Sequence, residues 1–424
     1  MLTQAPKGTQ DVLPSSSYRW QSIEAVMRRV CAMAGYREIR TPMFEHTELF
    51  QRGVGDSTDV VQKEMYTFND KGNRSITLKP EGTAGAARAF IEAHLFADPL
   101  PCKMYYVSCP AFRYEKPQSG RLRQFHQNGV EVFGAADASV DAEIIALAMD
   151  VLRENGIGDL RLAINSIGCP HCRALYLEKL KAYLAPKISG LCETCRERFE
   201  RNPLRILDCK VDSPALTDAP AMLDSLCDDC RGHFEKLKGY LDALGISYEI
   251  DPRIVRGLDY YTKTVFEIIT DTENGPLTVC GGGRYDGLVE ELGGPATCGI
   301  GFGMGVERMI MVQDARGVAP KAPALYDAFV CTMGDEARLE GMKLVRELRE
   351  NGVKADLDHA ARSLKAQFKY AGKMDAKFVL TLAGNELEKG VVRVKDMDAG
   401  AECEIARADA ASYIKNVIKD GAAQ

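Results

Sequence analysis

Long apolar runs are missing from this sequence, because none reaches the ~20 residues that a membrane-spanning helix requires. The N-terminus lacks the basic-then-apolar pattern of a targeting segment. Positive net charge is also missing: the formal charge is −6, so any contact with nucleic acid must depend on a local basic surface. The phosphate-binding pattern G-x-x-x-x-G-K followed by Ser or Thr does not occur either. We therefore expect a cytoplasmic protein outside the P-loop class.

Cysteine, in contrast, is plentiful, with 14 in 424 residues. In a long chain without a signal peptide these are expected to be reduced thiols, some of them metal ligands. Seven lie close together in the chain: Cys169, Cys172, Cys192, Cys195, Cys209, Cys227 and Cys230. Two C-x-x-C pairs can hold one tetrahedral zinc ion, so seven ligands make one complete site or two incomplete ones. Buried thiols that fill a small core are the alternative.

The segment Arg256–Glu267 combines an arginine, a glycine, a carboxylate and two phenols, and it runs into an apolar strand-like stretch. An arginine at the mouth of a strand, beside a glycine, suits a carboxylate or phosphate held by paired hydrogen bonds. Tyr260 and Tyr261 would point to opposite faces of an extended segment, which predicts that at most one faces the site. The alternative is a surface arginine followed by ordinary core tyrosines.

Two further stretches present polar groups to a ligand. Glu81 and Thr83 lie where a short strand leads into a helix N-terminus, although a turn carboxylate and a helix cap would look the same. Residues 103–134 predict strands at Lys103–Val107 and Ala111–Glu115, a basic loop at Lys116–Leu122 and a returning strand at Arg123–Phe133. Their period of two places a cation, an aromatic ring, an amide and carboxylates on one hairpin surface, which is too polar for a core. These side chains are Arg113, Glu115, Phe125, Gln127 and Glu131.

Glycine runs and a linker organise the rest of the chain. Glycines at 281–283 and alternating glycines at 299–305 allow a ligand to approach the backbone closely. A Pro- and Gly-containing linker, residues 317–323, precedes alternating strands and helices that predict an α/β domain with a mixed sheet. One helix of that domain carries a basic stripe, which is either a solvated face or a contact for an RNA backbone. The stripe consists of Arg362, Lys365, Lys369, Lys373 and Lys377.

These stretches, taken in order, resemble the signatures of the bacterial histidyl-tRNA synthetases, a family of class II aminoacyl-tRNA synthetases. The helix at 15–35 and the strand that follows, with its proline, resemble motif 1. Phe112–Glu115 resembles motif 2, and Cys298–Arg308 resembles motif 3. Arg256–Glu267 and Gly281–Leu288 resemble the two histidine-specific signatures of the family.

The resemblance implies an α+β fold: a class II catalytic core with an antiparallel sheet flanked by helices, a small helical insertion, and a C-terminal α/β anticodon-binding domain. The expected boundaries are 1–320 for the catalytic domain, interrupted by the insertion at 169–245, and 325–424 for the anticodon-binding domain. The implied activity is that of a histidine–tRNA ligase, which uses ATP and Mg²⁺ to activate L-histidine and transfers it to the 3′ end of tRNA(His). A homodimer formed through the motif 1 region is also expected.

Roles follow from the same resemblance, residue by residue. The expected histidine-binding residues are Glu81, Gly82, Thr83, Gln127, Glu131, Arg256, Tyr260 and Tyr261. The expected ATP-binding residues are Arg113, Glu115, Arg121, Phe125 and Arg308. Arg113 and Arg256 are expected to flank the α-phosphate and to act in catalysis, while Glu131 pairs with the imidazole of histidine. The expected tRNA contacts are Arg362, Lys365 and Lys369.

Two alternatives keep this fold without the activity. One is a regulatory relative that partners an enzyme of histidine biosynthesis, which typically lacks the anticodon-binding domain. The other is a sensor of uncharged tRNA, which would need a kinase domain. The retained signature residues and the C-terminal domain favour the enzyme, and histidine-dependent exchange of pyrophosphate into ATP would discriminate between the three.

Overall fold

The computed structural model describes residues 3–55, 58–118, 120–207, 209, 211–254, 256–273 and 275–422. It divides into two units, Met1–Pro320 and Lys321–Gln424. Strands and helices occur in both units, and the α+β class predicted from the sequence is confirmed. Among the described residues, no helix has the length and apolarity needed to cross a membrane.

An eight-stranded sheet forms the centre of the first unit, in the order β1-β5-β6-β11-β10-β9-β7-β8. Neighbouring strands are antiparallel except at the two edges, where β1 runs parallel to β5 and β7 to β8. A second, three-stranded sheet has the order β2-β4-β3. The strands are β1 Arg37–Glu38, β2 Phe44–His46, β3 Tyr66–Asn69, β4 Ser75–Leu78, β5 Cys102–Phe112, β6 Gln124–Phe133, β7 Arg161–Ser166, β8 Glu249–Ile250, β9 Thr262–Thr272, β10 Gly275–Arg284 and β11 Gly299–Gly305.

Helices cover both faces of the large sheet. The helices of the first unit are α1 Ser17–Met33, α2 Thr47–Val54, α3 Thr83–Glu92, α4 Ala138–Glu154, α5 Pro170–Leu184, α6 Glu193–Arg201, α7 Asp228–Ala243, α8 Leu288–Glu291 and α9 Val306–Arg316. Val132 and Phe266 face a core formed with α1, α4 and α9. The adjacent residues of the same strands, Phe133 and Val265, face α3 in a separate core, because successive side chains of a strand alternate between faces. Each such buried side chain stabilises the fold by ~1.5–3 kcal/mol.

The stretch between β7 and β8 is largely helical and has a hydrophobic core of its own, as the predicted helical insertion requires. Its three helices α5, α6 and α7 begin at cysteines: Cys169, Cys192 and Cys227 are the respective N-caps. Short 3-10 segments connect these helices, including Pro203–Ile206 and Ser213–Ala215.

The second unit is built on a five-stranded mixed sheet in the order β13-β12-β14-β15-β16. The first three strands are parallel and the last two antiparallel, which agrees with the mixed sheet predicted from sequence. Its elements are β12 Ala328–Thr332, α10 Asp335–Glu350, β13 Ala355–Leu357, α11 Leu364–Lys373, β14 Phe378–Leu382, α12 Gly384–Lys389, β15 Val391–Asp396, β16 Glu402–Ala406 and α13 Ala410–Ala422.

Candidate active site

Arg256 lies just before β9 and is held by a carboxylate of that strand. Its Nη1 donates a hydrogen bond to Oε1 of Glu267, and Oε2 of the same carboxylate accepts one from Thr278 at 3.0 Å. Gly281 lies opposite Glu267 in the neighbouring strand, where a Cβ would overlap the Arg256 guanidinium. Burial alone would lower the pKa of Arg256, but Tyr261 and Glu267 raise it overall, so the guanidinium stays charged. Within the described part of the chain, its Nε is buried without a hydrogen-bond partner.

The two adjacent tyrosines lie together, which corrects the prediction that they point to opposite faces. The ring centroids of Tyr260 and Tyr261 are 4.7 Å apart, and both side chains are buried in the same core. The reason is local: the backbone turns at these residues, and the strand begins only at Thr262. A turn does not follow the alternation of a strand, so both phenols face inward.

Glu131 is fully buried on β6 and accepts hydrogen bonds from three hydroxyls. Oε1 accepts from Thr83 at 2.7 Å and from Tyr106 at 3.1 Å, and Oε2 accepts from Tyr285. Burial raises the pKa of Glu131 to about 8, although these hydroxyls oppose the shift. Gly301 lies opposite Glu131 in the sheet, and a Cβ there would overlap the carboxylate. One glycine of the alternating run therefore provides room for a buried acid.

Glu81 is a buried cap of α3 and not a solvated turn carboxylate. Its two oxygens accept hydrogen bonds from the backbone N–H groups of Thr83 at 2.6 Å and Ala84 at 2.8 Å. Burial raises the pKa of this carboxyl as well, in spite of those bonds. At Gly82, between them, a Cβ would overlap the phenol of Tyr106. The strand-to-helix junction thus aims Glu81 and Thr83 at the same buried region as Glu131.

The four arginines predicted for the site converge on its open side: Arg113, Arg121, Arg256 and Arg308. Arg113 donates through Nε to the carbonyl of Pro80 at 3.0 Å, and its guanidinium lies 5.6 Å from the centroid of the Phe125 ring. Arg308, on the first turn of α9, donates to the carbonyl of Thr278 at 2.6 Å. Burial and the nearby Arg121 lower the pKa of Arg308.

These cations share one cavity of about 760 Å³. The predicted site residues that line it are Arg113, Glu115, Arg121, Phe125, Gln127, Arg256, Tyr261 and Arg308. The other predicted residues, Glu81, Gly82, Thr83, Glu131 and Tyr260, form a buried layer that adjoins the wall through the contact of Tyr260 with Tyr261. An open cationic cavity with buried carboxylates behind it suits a ligand that has a polyanionic part and a smaller cationic part.

Several contributors to the site are absent from the sequence prediction. Glu267 could have been recognised as a charge within the apolar stretch Val265–Ile269. Tyr285 lies within a glycine-rich signature that drew attention to its glycines alone. Arg198 and Arg205 of the insertion also line the cavity, and their ion pairs with Asp59 are tertiary contacts without a local signal.

The cysteines of the insertion form two separate groups. Cys169 and Cys172 meet Cys227 and Cys230, and the Sγ atoms of the first pair are 3.6 Å apart. The other group consists of Cys192, Cys195, Cys209 and Asp212, with the Sγ atoms of Cys192 and Cys209 3.9 Å apart. Both groups could hold a metal ion, and the carboxylate was not among the ligands predicted from the sequence.

The predicted tRNA-binding residues lie in the second unit, at and just before α11. Lys365 and Lys369 are exposed on this helix. Arg362 precedes it, and its Nη1 pairs with Oδ1 of Asp358 at 2.6 Å while the guanidinium lies 4.5 Å from the centroid of Tyr370. The two lysines thus present their charge to solvent, whereas Arg362 is partly engaged within its own unit.

Comparison with known proteins gives consistent results for both units. Residues 8–309 match the family model described as histidyl-tRNA synthetase, and 327–417 match that of an anticodon binding domain. The histidine–tRNA ligase of Caldanaerobacter subterraneus subsp. tengcongensis is 56% identical over 418 residues, covering 98% of this chain and 100% of that protein. That of Alkaliphilus oremlandii is 58% identical over 407 residues, covering 96% of each.

Solved structures extend the comparison. The apo histidyl-tRNA synthetase of S. aureus has a TM-score of 0.84 at 41% identity and covers 97% of this chain and 99% of its own. An ATP phosphoribosyltransferase regulatory subunit/histidyl-tRNA synthetase from Bacillus halodurans has a TM-score of 0.66 at 22% identity, covering 91% of this chain and 99% of its own. The second likeness is one of fold alone.

Proposed function

We propose a mechanism from one premise: the chain belongs to the histidyl-tRNA synthetase family. Its activity is that of a histidine–tRNA ligase, which forms histidyl-adenylate and pyrophosphate from histidine and ATP and then acylates the 3′-terminal adenosine of tRNA(His). Matches to curated ligases at 56% and 58% identity over nearly the full chain, together with a matched anticodon-binding domain, favour this activity over that of a regulatory relative. The observation that supports the site assignment most strongly is the buried Glu131 behind a cavity lined by six arginines.

We assign the open cavity to ATP. Phe125 stacks on adenine and Glu115 accepts its amino group, while Arg113 contacts the α-phosphate and Arg121 and Arg308 bind the outer phosphates. The synthetases use Mg²⁺ with ATP, and the carboxylate of Glu64 on the cavity wall would offer an oxygen donor of the kind this ion prefers. When bound, the ion neutralises charge on the phosphates.

Histidine occupies the region between Arg256 and Glu131. The ionised Glu131 accepts a hydrogen bond from an imidazole N–H, and Tyr261 contacts the other side of the ring with Tyr260 behind it. Glu81, Thr83 and Gln127 receive the ammonium, since each carboxylate oxygen of Glu81 has a lone pair left after its backbone bond. Arg256 then lies between the histidine carboxylate and the α-phosphate, where it screens two anions that would otherwise repel each other.

Chemistry in such a site is mostly positioning and charge stabilisation. A carboxylate oxygen of histidine attacks the α-phosphorus, the bond to pyrophosphate breaks, and the leaving group carries its negative charge to the outer arginines. Arg256 and Arg113 stabilise the charge on the oxygens of the α-phosphorus as it passes through the transition state. Glu267 already orients Arg256, and the carbonyl of Pro80 orients Arg113.

Five further assignments belong to this proposal. Residues 1–320 carry catalysis and 325–424 bind the anticodon arm through Lys365, Lys369 and Arg362. The chain works in the cytoplasm as a homodimer built on the motif 1 region. The insertion at 169–245 binds zinc through its cysteines, for which the four thiols of Cys169, Cys172, Cys227 and Cys230 make a tetrahedral set.

Pyrophosphate exchange into ATP tests the function directly. We expect exchange with histidine and none above background with other amino acids, because the site leaves buried polar groups unpaired when the imidazole is missing. Aminoacylation of tRNA(His) should follow with the same enzyme. A well-folded protein without histidine-dependent exchange would contradict the proposal and favour a binding-only role.

A further inference from the structure

The second cysteine group of the insertion repeats the residue spacing of the first, with one carboxylate in place of a thiol. Cys169 and Cys172 are the N-cap and third residue of α5, and Cys227 and Cys230 hold the same two positions on α7. Cys192 and Cys195 occupy these positions on α6. All three pairs therefore direct two sulfurs toward one point at a helix N-terminus, where the helix dipole favours a thiolate.

Cys209 and Asp212 complete the pattern. They have the same three-residue offset as each C-x-x-C pair, and Asp212 is the N-cap of the 3-10 segment Ser213–Ala215. A backbone hydrogen bond of 2.9 Å from the N–H of Ser213 to the carbonyl of Cys209 closes the turn between them. The insertion thus contains four pairs of candidate ligands, each pair three residues apart, which we call knuckles. The structure brings the Cys169 knuckle to the Cys227 knuckle and the Cys192 knuckle to the Cys209 knuckle.

Distances within the second group fit a tetrahedral ion. The three sulfurs and one carboxylate oxygen all lie within 4.8 Å of one another, and the Sγ atoms of Cys192 and Cys209 are 3.9 Å apart. Zinc–sulfur bonds of about 2.3 Å in a tetrahedron separate two sulfurs by about 3.8 Å. A disulfide requires about 2.05 Å, and the cysteines are free.

A carboxylate does not belong in a core of thiols unless something offsets its burial. Asp212 is 7% exposed, and Cys195 is fully buried beside it. Both carboxylate oxygens lie 3.2 Å from the backbone N–H of Cys192, a contact that orients the carboxylate toward the sulfurs. Buried carboxylates are as a rule paired or bound to metal, and an ion shared with the three sulfurs would neutralise the charge of this one.

We propose that Cys192, Cys195, Cys209 and Asp212 bind a second zinc ion, separate from the site formed by Cys169, Cys172, Cys227 and Cys230. The inference extends the proposed zinc binding of the insertion, and its test counts the two ions independently of catalysis. Zinc is the divalent ion that thiolate-rich tetrahedral sites with one carboxylate suit best.

This second ion is structural, and it lies against the catalytic cavity. Cys192 and Cys209 line that cavity together with Arg198 and Arg205, whereas none of the four ligands of the first site does so among the described lining residues. Arg198, one turn after Cys195 on α6, pairs with Asp59 at 2.6 Å. The ion therefore fixes a wall that places two arginines beside the ATP-binding region.

Metal content per chain tests the proposal on full-length protein purified without chelators. We expect about two zinc equivalents in the unaltered protein, about one in Asp212→Ala and Cys209→Ser, and about one in Cys172→Ser, which removes the other site. Asp212→Cys should keep two, because it converts the site to four thiols. Asp224→Asn is the matched control, since it alters an exposed carboxylate of the same insertion and should also keep two.

Two outcomes overturn the inference. One is a single equivalent in the unaltered protein, a result that does not depend on whether any variant folds. The other is an Asp212→Ala protein that retains two. Activity separates this proposal from the proposed function: two ions without histidine-dependent exchange would refute the function alone. Loss of the second ion should raise the KM for ATP several-fold, whereas Cys172→Ser, which leaves the cavity wall intact, should change it less.

Discussion

Glu131 is the residue at which folding and function make opposite demands. Its carboxyl is fully buried beneath three hydroxyl donors, and burial raises its pKa to about 8 from an ordinary 4.5. The ionised form is expensive for the free protein but is the form that accepts an imidazole N–H. An imidazole N–H that donates to the ionised carboxylate would offset this cost, so the carboxyl favours a ligand that carries such a donor.

Protein stability should consequently depend on pH through this residue. Between pH 4.5 and about 8 the folded protein holds a proton on Glu131 that the unfolded chain has lost, so stability falls as pH rises across this window and levels off above it. The free energy of unfolding can be measured in urea from about pH 5 to pH 9. The stability of Glu131→Gln relative to the unaltered protein should increase as pH rises. Parallel profiles for the two proteins would contradict the assigned pKa.

Substrate specificity provides a second test of Glu131. Glutamine keeps the size of the side chain but has no charge, and its amide must present N–H as well as C=O to the ring. We expect Glu131→Gln to raise the KM for histidine by an amount that corresponds to a loss of a few kcal/mol of binding free energy. The KM for ATP should change little. Glu290→Gln, an exposed carboxylate, is the control. Equal changes in both KM values would remove Glu131 from the histidine site.

Arg256 should act on one half-reaction more than on the other. Alanine removes its charge and its fork of donors, and lysine keeps only the charge. Adenylate formation should fall by ~10²–10³ in Arg256→Ala and somewhat less in Arg256→Lys, while transfer from preformed adenylate to tRNA suffers much less. Single-turnover measurement of both steps on folded protein checks this. Comparable losses in the two steps would mean that Arg256 only anchors its strand through Glu267.

At the scale of elements, the sequence predicted strands and helices well where periodicity was strong and failed where a turn interrupted it. Strand β6 and helix α11 lie within one residue of their predicted bounds, whereas the two predicted strands Lys103–Val107 and Ala111–Glu115 form one continuous strand, β5, that ends at Phe112. An extended segment would place Tyr260 and Tyr261 on opposite faces, but the turn before β9 brings both into one core. Periodicity reports how a segment alternates once it is regular, but the residue at which regularity begins is decided by tertiary contacts.

The helix α11 carries a prediction about tRNA. Lys365→Glu with Lys369→Glu should weaken tRNA binding and make it less dependent on salt, because each phosphate contact contributes about one counterion to the salt slope. Pyrophosphate exchange should remain normal, since no tRNA takes part in it. Lys343→Glu, an exposed lysine on α10, is the matched control. An unchanged KM for tRNA and an unchanged salt slope would leave the stripe as a solvated face.

For the whole molecule, separated signatures in the right order were enough to predict the class of fold and the activity. The pairing of the cysteine knuckles was beyond prediction, because it depends on which helix N-termini the insertion brings together. Asp212 has no sequence signal for a related reason, because a carboxylate three residues after a lone cysteine is common. Only its burial among three thiols marks it as a candidate ligand. Sequence patterns thus identified ligand types, and folding decided the partners.

The assembly of two chains is the remaining expectation at this scale, and the small sheet offers a surface for it. Phe44 and Phe68 are 54% and 48% exposed, and Met43 beside them is 55% exposed. Phe44 lies opposite Leu78 and Phe68 opposite Ile76, so both rings project from one face of the three strands. Large exposed apolar side chains on one sheet face are typical of an interface, and a stable dimer buries about 1,200–2,000 Å² in total.

Sedimentation velocity at micromolar concentration should therefore report twice the mass of the chain for the unaltered protein and the mass of one chain for Phe44→Asp with Phe68→Asp. Two carboxylates placed in an apolar interface cannot be solvated or paired there, so association is lost while the monomer, whose face is already exposed, stays folded. Leu339→Asp with Met342→Asp on α10 removes equally exposed apolar groups from the second unit and should leave the dimer intact. A dimer that survives the first pair of substitutions would place the interface elsewhere, and a monomeric unaltered protein would refute the homodimer itself.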